Sequence, residues 1–258
     1  MVAGGSKGRQ RLDERLVAEG LAESRSQAQG LILSGVVLVD DTPLDKAGAS
    51  VADGAEIRLR GGVRRFVSRG GEKLEGALEA LGPDPRGLAC LDVGASTGGF
   101  TDCLLQAGAE RVIALDVGHG QLHSRLRIDP RVEVVERVNA RHLVSDQVAF
   151  PVDLVVADVS FISLALLLPG FARVAPGAEW LLLVKPQFEV GREQVGKGGV
   201  VRDDGLRQAA VDSVIEAANL IGYGALGQAE SRLSGPRGNR EIFVRFSPLE
   251  SAADPSLS

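Results

Sequence analysis

Four charged side chains stand where their neighbours give a charge little reason to be. Asp158 closes the apolar run DLVVAD, Lys185 closes WLLLVKP, Glu241 opens onto IFVRF, and Lys73 lies beside the apolar stripe of a helix that begins near Gly71. A lysine at a helix start also opposes the helix dipole, which favours anions there. Two ammonium groups and two carboxylates brought together can act on a hydroxyl, a poor nucleophile because its pKa lies far above neutrality. A base or a strong positive field must act on the proton while the oxygen attacks an electrophile. A desolvated lysine near another cation has its pKa lowered, and carboxylates hold it by hydrogen bonds. In this reading Lys185 receives or stabilises the proton, Asp158 and Glu241 orient it, and Lys73 supplies the second positive charge. Singly, each residue is an ordinary strand-end ion pair; jointly, they point to chemistry on a hydroxyl such as that of a ribose.

The elements that must position them centre on residues 88–104, LACLDVGASTGGFTDCL. A short apolar run, a glycine turn and a helical pattern from Phe100 through Leu104 and Leu105 predict strand, turn and helix. At the carboxyl edge of a parallel sheet such a turn lets a nucleotide-like ligand approach the backbone. The next apolar run, RVIALDV, ends in Asp116, about 20 residues after the first glycine, where a carboxylate can accept from ribose hydroxyls. The pair predicts an adenosine-containing cofactor. Ser96 occupies the second glycine place of a dinucleotide fingerprint and would crowd a pyrophosphate, whereas S-adenosylmethionine (SAM) has none to admit. A P-loop is excluded because no G-K-[ST] follows. The candidate cofactor contacts are Asp92, the turn Gly94, Ala95, Ser96, Thr97, Gly98, Gly99 and Phe100, then Asp116, Val117, Asn139 and Asp158.

Further apolar runs, VEVVERVN closing on Asn139, DLVVAD and WLLLVKP, alternate with helical or irregular stretches. That alternation predicts an α/β fold with a doubly wound parallel sheet. Ligands bind outside the carboxyl ends of such strands, so Asp158 and Lys185 fall on the edge of the glycine turn. Glu241 joins them if the last strand runs antiparallel to the others. Residues 205–222 read as an amphipathic helix through Val211, Val214, Ile215 and Ala218.

At 258 residues the chain has room for one large or two modest domains. A net charge of −5 argues against coating nucleic acid by bulk electrostatics, though a local basic face is compatible with it. Cys90 and Cys103 form no disulfide framework, and neither a membrane span nor a signal peptide is legible, so a cytoplasmic protein is expected. His119 and His123 are four apart, but Gly118 and Gly120 disfavour a helix there and no third ligand is evident, so no metal is expected. Phe161 and Phe188, just past Asp158 and Lys185, are candidates to contact a flipped nucleotide or to plug the core.

Residues 1–9 read as a mobile tail. Leu12, Leu16 and Val17 then mark one helix, and Ser24 with Gln27 forms a capping box for a second that Gly35 ends. VVLVD, the turn DTPLD and GAEIRLR read as a small antiparallel sheet. Through RLDERLVAEGLAESRSQAQGLILSGVVLVDD this unit resembles the RNA-binding domain named for ribosomal protein S-four, whose helices offer basic side chains to RNA phosphates. Matching positions are Arg11, Arg15, Arg25 and Lys46. Gly30 stands where many relatives keep a basic residue, and Asp40-Asp41 replaces the common Asn-Gly turn, which weakens the basic face. Arg64, Arg65 and Arg69 cluster in the joint that follows and are added to the RNA-binding candidates. The expected division is a small α+β RNA-binding domain over 10–62, a linker over 63–70, the large domain over 71–248 and a flexible tail over 249–258.

Taken together, SRGGEKL, LDVGASTGGFTDCLL, LDVGHGQL, ADVSFISL, KPQFEVGREQVGKGGVVRD and GPRGNREIF resemble the TlyA group, in which an S-four-like domain precedes a methyltransferase domain of the FtsJ kind. The resemblance implies SAM-dependent methylation of cytidine 2′-hydroxyls in ribosomal RNA, with ribosomal RNA or ribosomal subunits as partners. It places the family tetrad on Lys73, Asp158, Lys185 and Glu241. In relatives the joint influences SAM binding; RRFV stands there in place of a form with tryptophan. A ribosome-assembly factor that binds RNA without turnover is the alternative, and the intact tetrad argues against it. The haemolysin label some relatives carry finds no spanning segment or basic amphipathic helix here. A monomer is favoured.

Overall fold

A computed structural model describes residues 8–46, 48–60 and 65–249. They divide into two units between Arg65 and Phe66.

The first unit packs two helices on short strands. Strand β1 (Arg9–Arg11) leads into α1 (Leu12–Ala18) and α2 (Arg25–Leu33), followed by β2 (Val37–Val39), β3 (Thr42–Pro43), β4 (Ser50–Ala52) and β5 (Ile57–Leu59). β2 pairs antiparallel with β3 and β5, while β1 pairs with β4, so Arg9, expected at the end of a mobile tail, opens a strand instead. Ser24 caps α2 by accepting from Gln27 N at 3.2 Å, but the Gln27 side chain accepts from Glu23 N, one residue ahead of the expected reciprocal bond. Leu12, Leu16, Ala28, Ile32, Val37, Val51 and Ile57 form the core. Val17 was expected among them, yet it is 36% exposed. At about 100° per residue it lies well round the helix from Leu12 and Leu16. Asp40 and Asp41 both take positive φ, 47° and 63°, the requirement of a two-residue hairpin turn that Asn-Gly usually meets. Asp40 Oδ1 steadies the turn by accepting from Glu56 N at 2.9 Å.

The second unit begins with α3 (Arg69–Leu81), capped by Ser68 and stopped by Gly82 at φ 80°. Then come β6 (Ala89–Val93), α4 (Gly99–Gln106), β7 (Arg111–Asp116), α5 (Ser124–Arg127), β8 (Val132–Glu136), β9 (Leu154–Ala157), α6 (Leu168–Val174), β10 (Glu179–Val184), α7 (Pro186–Glu189), α8 (Asp204–Asn219), β11 (Tyr223–Glu230) and β12 (Ile242–Pro248). They build a seven-stranded sheet of order β11-β12-β10-β9-β6-β7-β8. Strands β6 to β10 are parallel, and β12 is antiparallel to both β10 and β11. The linker expected over 63–70 is shorter than its sequence suggested. Phe66 is buried, Val67 N donates to Asp102 Oδ2 on α4 at 2.8 Å, and α3 has already started at Arg69. Residues 61–64 lie outside the described set, as do 1–7 and 250–258.

Each face of the sheet carries its own core. Leu91, Val155, Leu182 and Val244 belong to one; Cys90, Val156, Leu183 and Phe243 pack with Leu74, Phe100 and Leu104 of α3 and α4 in the other. The alternation follows from the period of two in a strand.

Candidate functional site

Strand parity gathers the four charged residues. Val156, Leu183 and Phe243 face the α3/α4 layer, so Asp158, Lys185 and Glu241, each two positions away, continue on that face just beyond the strand ends. Val184 pairs with Ile242 and Leu182 with Ala157, which sets Lys185 opposite Glu241 and brings Asp158 alongside on the next strand. Lys73 comes from α3 above. The outcome is two ion pairs. Lys73 Nζ lies 2.5 Å from Glu241 Oε2, with side chains 7% and 0% exposed. Lys185 Nζ lies 2.5 Å from Asp158 Oδ1, with side chains 9% and 23% exposed. Lys185 also donates to Ser160 Oγ at 3.0 Å, a contact with no signal in the sequence beyond its place two residues past Asp158. Glu241 Oε1 has no hydrogen-bond partner among the described residues. The loop lies so close that a Cβ on Gly235 would stand 2.0 Å from that oxygen.

Beside Asp158 opens a cavity of about 570 Å³, a size usual for small-molecule sites. Of the candidate cofactor contacts, Gly94, Ser96, Asp116, Val117, Asn139 and Asp158 line it, together with Phe161, the candidate contact for a flipped nucleotide, and with Gln121, Ser160 and Ile162, which sequence reasoning did not place there. Gly94 (φ 84°) is obligatory, since a Cβ would meet the Asp158 carbonyl oxygen at 2.7 Å. Asp116 shapes the rim by accepting from Ser96 N at 2.8 Å and Gly118 N at 2.6 Å. Asn139 Oδ1 accepts from Arg141 N at 3.0 Å, and β8 has ended three residues earlier.

The other candidates lie outside the cavity lining. Asp92 is fully buried, facing α4 by parity, and Oδ2 accepts from Thr101 N at 2.9 Å and Thr101 Oγ1 at 2.6 Å. Burial pushes its carboxyl up to about 7 against the pull of those bonds. A Cβ on Gly98 would stand 2.3 Å from Leu126 Cδ1, and one on Gly99 2.2 Å from Ser68 Oγ and 2.9 Å from Gly71 N. Gly99 lets α3 approach α4, and Gly98 makes room for Leu126 of α5. Ala95 is buried, Phe100 stacks on Phe243 with centroids 6.0 Å apart, and the Thr97 carbonyl accepts from His123 N at 3.2 Å.

At the cavity mouth Phe161 is 91% exposed and holds φ 66°, a conformation that costs a bulky residue about 1–3 kcal/mol. Its ring centroid is 5.2 Å from that of Phe188. His119 Nδ1 meets Glu136 at 2.7 Å and His123 Nδ1 accepts from Arg125 N, while among the described residues no three His, Cys, Asp or Glu side chains are grouped to hold a metal.

In the first unit the candidate arginines differ. Arg15 is an internal strut, buried and bonded to Glu19 and to the carbonyls of Ala52 and Ala55. It is not a surface cation, because α1 turns it toward the strands. Arg11 and Arg25 remain half exposed, and both donate to the fully buried Asp13, at 2.9 and 3.0 Å. Their bonds hold the Asp13 carboxyl well below the usual carboxylate range, with the Arg11 bond the largest cause. Lys46, Arg65 and Arg69 are exposed, and Arg64 lies outside the described residues. Residues 8–60 carry seven cationic and nine acidic side chains, so any grip on phosphate there depends on local display rather than net charge.

Comparison with known proteins agrees with this architecture. Residues 66–247 match the FtsJ-like methyltransferase family and residues 10–57 the S4 domain. The chain is 50% identical over 252 residues, 97% of its length and 93% of the relative's, to the 16S/23S rRNA (cytidine-2'-O)-methyltransferase TlyA of Mycobacterium tuberculosis strain H37Rv. It is 41% identical to a Brachyspira hyodysenteriae protein named Hemolysin A, covering 92% of this chain and 99% of that one. A solved structure of a hemolysin-labelled protein from Streptococcus thermophilus is 38% identical, covers 95% of this chain and 90% of its own, and superposes with a TM-score of 0.74. With an S4 domain followed by the reversed-strand sheet and its paired Lys and acidic residues, the chain belongs to the TlyA group of the FtsJ-like methyltransferase family.

Proposed function

We propose that this protein transfers the methyl group of SAM to the 2′-hydroxyl of a cytidine in ribosomal RNA. The observation that carries the reading is the pair of lysine–carboxylate contacts, Lys185–Asp158 and Lys73–Glu241, gathered at neighbouring strand ends, with Asp158 lining the cavity. A nucleoside fits the cavity chemically: Gly94 gives backbone access, Asp116 offers carboxylate oxygens at the rim, and Val117 and Ile162 are apolar walls. When bound, SAM supplies an electrophilic methyl group. The protein's work is on the hydroxyl. Lys185 Nζ, held by Asp158 and Ser160, is the group that meets the 2′-oxygen; as the neutral amine it takes the hydroxyl proton and becomes the ammonium that pairs with Asp158. Lys73, fixed by Glu241, adds a second positive charge beside the developing alkoxide. Phe161 presents an exposed ring at the mouth, supported by Phe188, on which a base taken out of its stack can rest.

The S4-domain cations Arg11, Arg25 and Lys46, with Arg64, Arg65 and Arg69, contact phosphates and position the RNA. Among the described residues no helix is long and apolar enough to cross a membrane, and action on ribosomal RNA fits a cytoplasmic site.

The test is transfer of labelled methyl from SAM to separated small and large ribosomal subunits lacking the modification, with wild type beside Lys185→Ala. Label that maps to a cytidine 2′-oxygen and disappears in the variant, with SAM still bound, supports the reading. An unlabelled pair of subunits, or an active variant, overturns it and moves the chain to an assembly role.

A further inference from the structure

Glu189 closes α7, four residues past Lys185, and neither lines the cavity nor touches the tetrad. Its carboxylate nevertheless reaches across 26 residues of sequence to the loop after β9. Oε2 accepts from Ser163 Oγ at 2.6 Å and Oε1 from Leu164 N at 2.9 Å. Ser163 Oγ also accepts from Ala165 N at 3.2 Å, capping the short turn Leu164–Leu166.

Segment 158–164 is thereby tied twice to segment 185–189. One tie is Asp158 and Ser160 on Lys185; the other is Ser163 and Leu164 on Glu189. Between the ties sits Phe161, at positive φ and almost wholly exposed, with the Phe188 ring as its aromatic neighbour. A strained and solvated aromatic keeps its place only where the surroundings over-determine it. Phe188 is itself the residue before Glu189, so the carboxylate clamps both rings' loops at once.

We infer that Glu189 is a positioning residue for methyl transfer, a clasp that holds the Phe161 loop over the site through hydrogen bonds. The inference rests on the transfer reaction proposed above. Its partners are an amide N–H and a hydroxyl, and a hydroxyl can donate or accept. Burial raises the pKa of the carboxyl and so disfavours its charge. Shape and hydrogen bonding, rather than charge, are what the clasp needs, so glutamine can replace glutamate and alanine cannot.

The experiment compares Glu189→Gln, Glu189→Ala and Ser163→Ala with wild type for single-turnover transfer and for SAM affinity by calorimetry. Glu189→Ala is expected to lower kcat/KM for RNA about 10- to 100-fold, as small misplacements of positioned groups do, with SAM affinity within about twofold. Glu189→Gln should stay within about threefold of wild type, and Ser163→Ala should fall between. Combined with Phe161→Ala, Glu189→Ala should add little further loss, because both act through one ring. Hydrogen exchange of amides 159–164, which needs no activity, should quicken in Glu189→Ala and not in Glu189→Gln. Unchanged turnover in Glu189→Ala, failure of glutamine to restore it, or losses that multiply with Phe161→Ala would each overturn the clasp. Should Glu189→Ala fail to fold, the glutamine and Ser163→Ala variants decide the matter by the same limits. Wild-type protein inactive on every subunit would sink the transfer reaction instead, leaving the exchange pattern to judge the clasp.

Discussion

Removing one partner of the Lys73–Glu241 pair is the sharpest test of how the site is built. At 2.5 Å and an effective dielectric of 20 the gross attraction is about 7 kcal/mol. Taking both ions out of water costs several kcal/mol each, so the intact pair comes out near zero. Lys73→Met deletes the attraction and leaves Glu241, 0% exposed and already short of a partner at Oε1, as an uncompensated buried charge. Glu241→Gln strands the ammonium in the same way. Each single variant should lose about 3–5 kcal/mol of stability. The double variant Lys73→Met, Glu241→Gln should lose less than the sum of the two by about 2 kcal/mol or more, since no charge remains. Glutamine is the right replacement because it keeps the shape of glutamate where that side chain packs against Gly235. Urea melts of the four proteins give the coupling, and methyl transfer should be lost in all three variants. Additive stabilities would refute the argument, and so would a double variant that regains activity along with stability.

Two further outcomes are expected. Asp116→Ala frees the amides of Ser96 and Gly118 from their shared acceptor and should weaken SAM binding about 10- to 100-fold, the effect of about 1.5–3 kcal/mol in hydrogen bonds; unchanged affinity by calorimetry would contradict it. Asp92, raised to about 7 from an ordinary 3.8, keeps its proton in the folded protein where the unfolded chain has lost it. Its contribution to stability is therefore fully present below about pH 4 and lost as pH rises toward 7, by up to about 4 kcal/mol. Asp92→Asn should flatten that slope relative to wild type in melts at pH 5 and 8, and parallel slopes would show that Asp92 is ionised throughout.

The tetrad was legible because each member interrupts or borders an apolar run, and strand parity alone then fixes which face it takes. The glycine turn was legible as a turn but not in its division of labour. Gly94 and Ser96 open on the cavity, whereas Gly98 and Gly99 admit the neighbouring helices, a difference set by what packs against each Cα. Strand β11, YGALGQAE, carries two glycines, a register shift between Ala225 and Gly227 and no apolar alternation, so as an edge strand it left little pattern to read. Arg15 looked like its neighbours in composition, and only the carbonyls of Ala52 and Ala55, distant in sequence, reveal it as internal. Glu189 was hidden for the same reason. Its meaning depends on which loop lies across from it, and periodicity carries no such information.

The reversed strand β12 has a consequence for synthesis. It slots between β10 and β11, so the sheet's second-last position in space is filled by its last segment in sequence, and Lys73 waits 168 residues for Glu241. A chain still emerging holds an unpartnered lysine at the site and an open strand edge on β10. The Lys73–Glu241 pair is therefore completed only with the final strand, and a product truncated before it keeps the cavity and the Lys185–Asp158 contact but leaves Lys73 without its carboxylate.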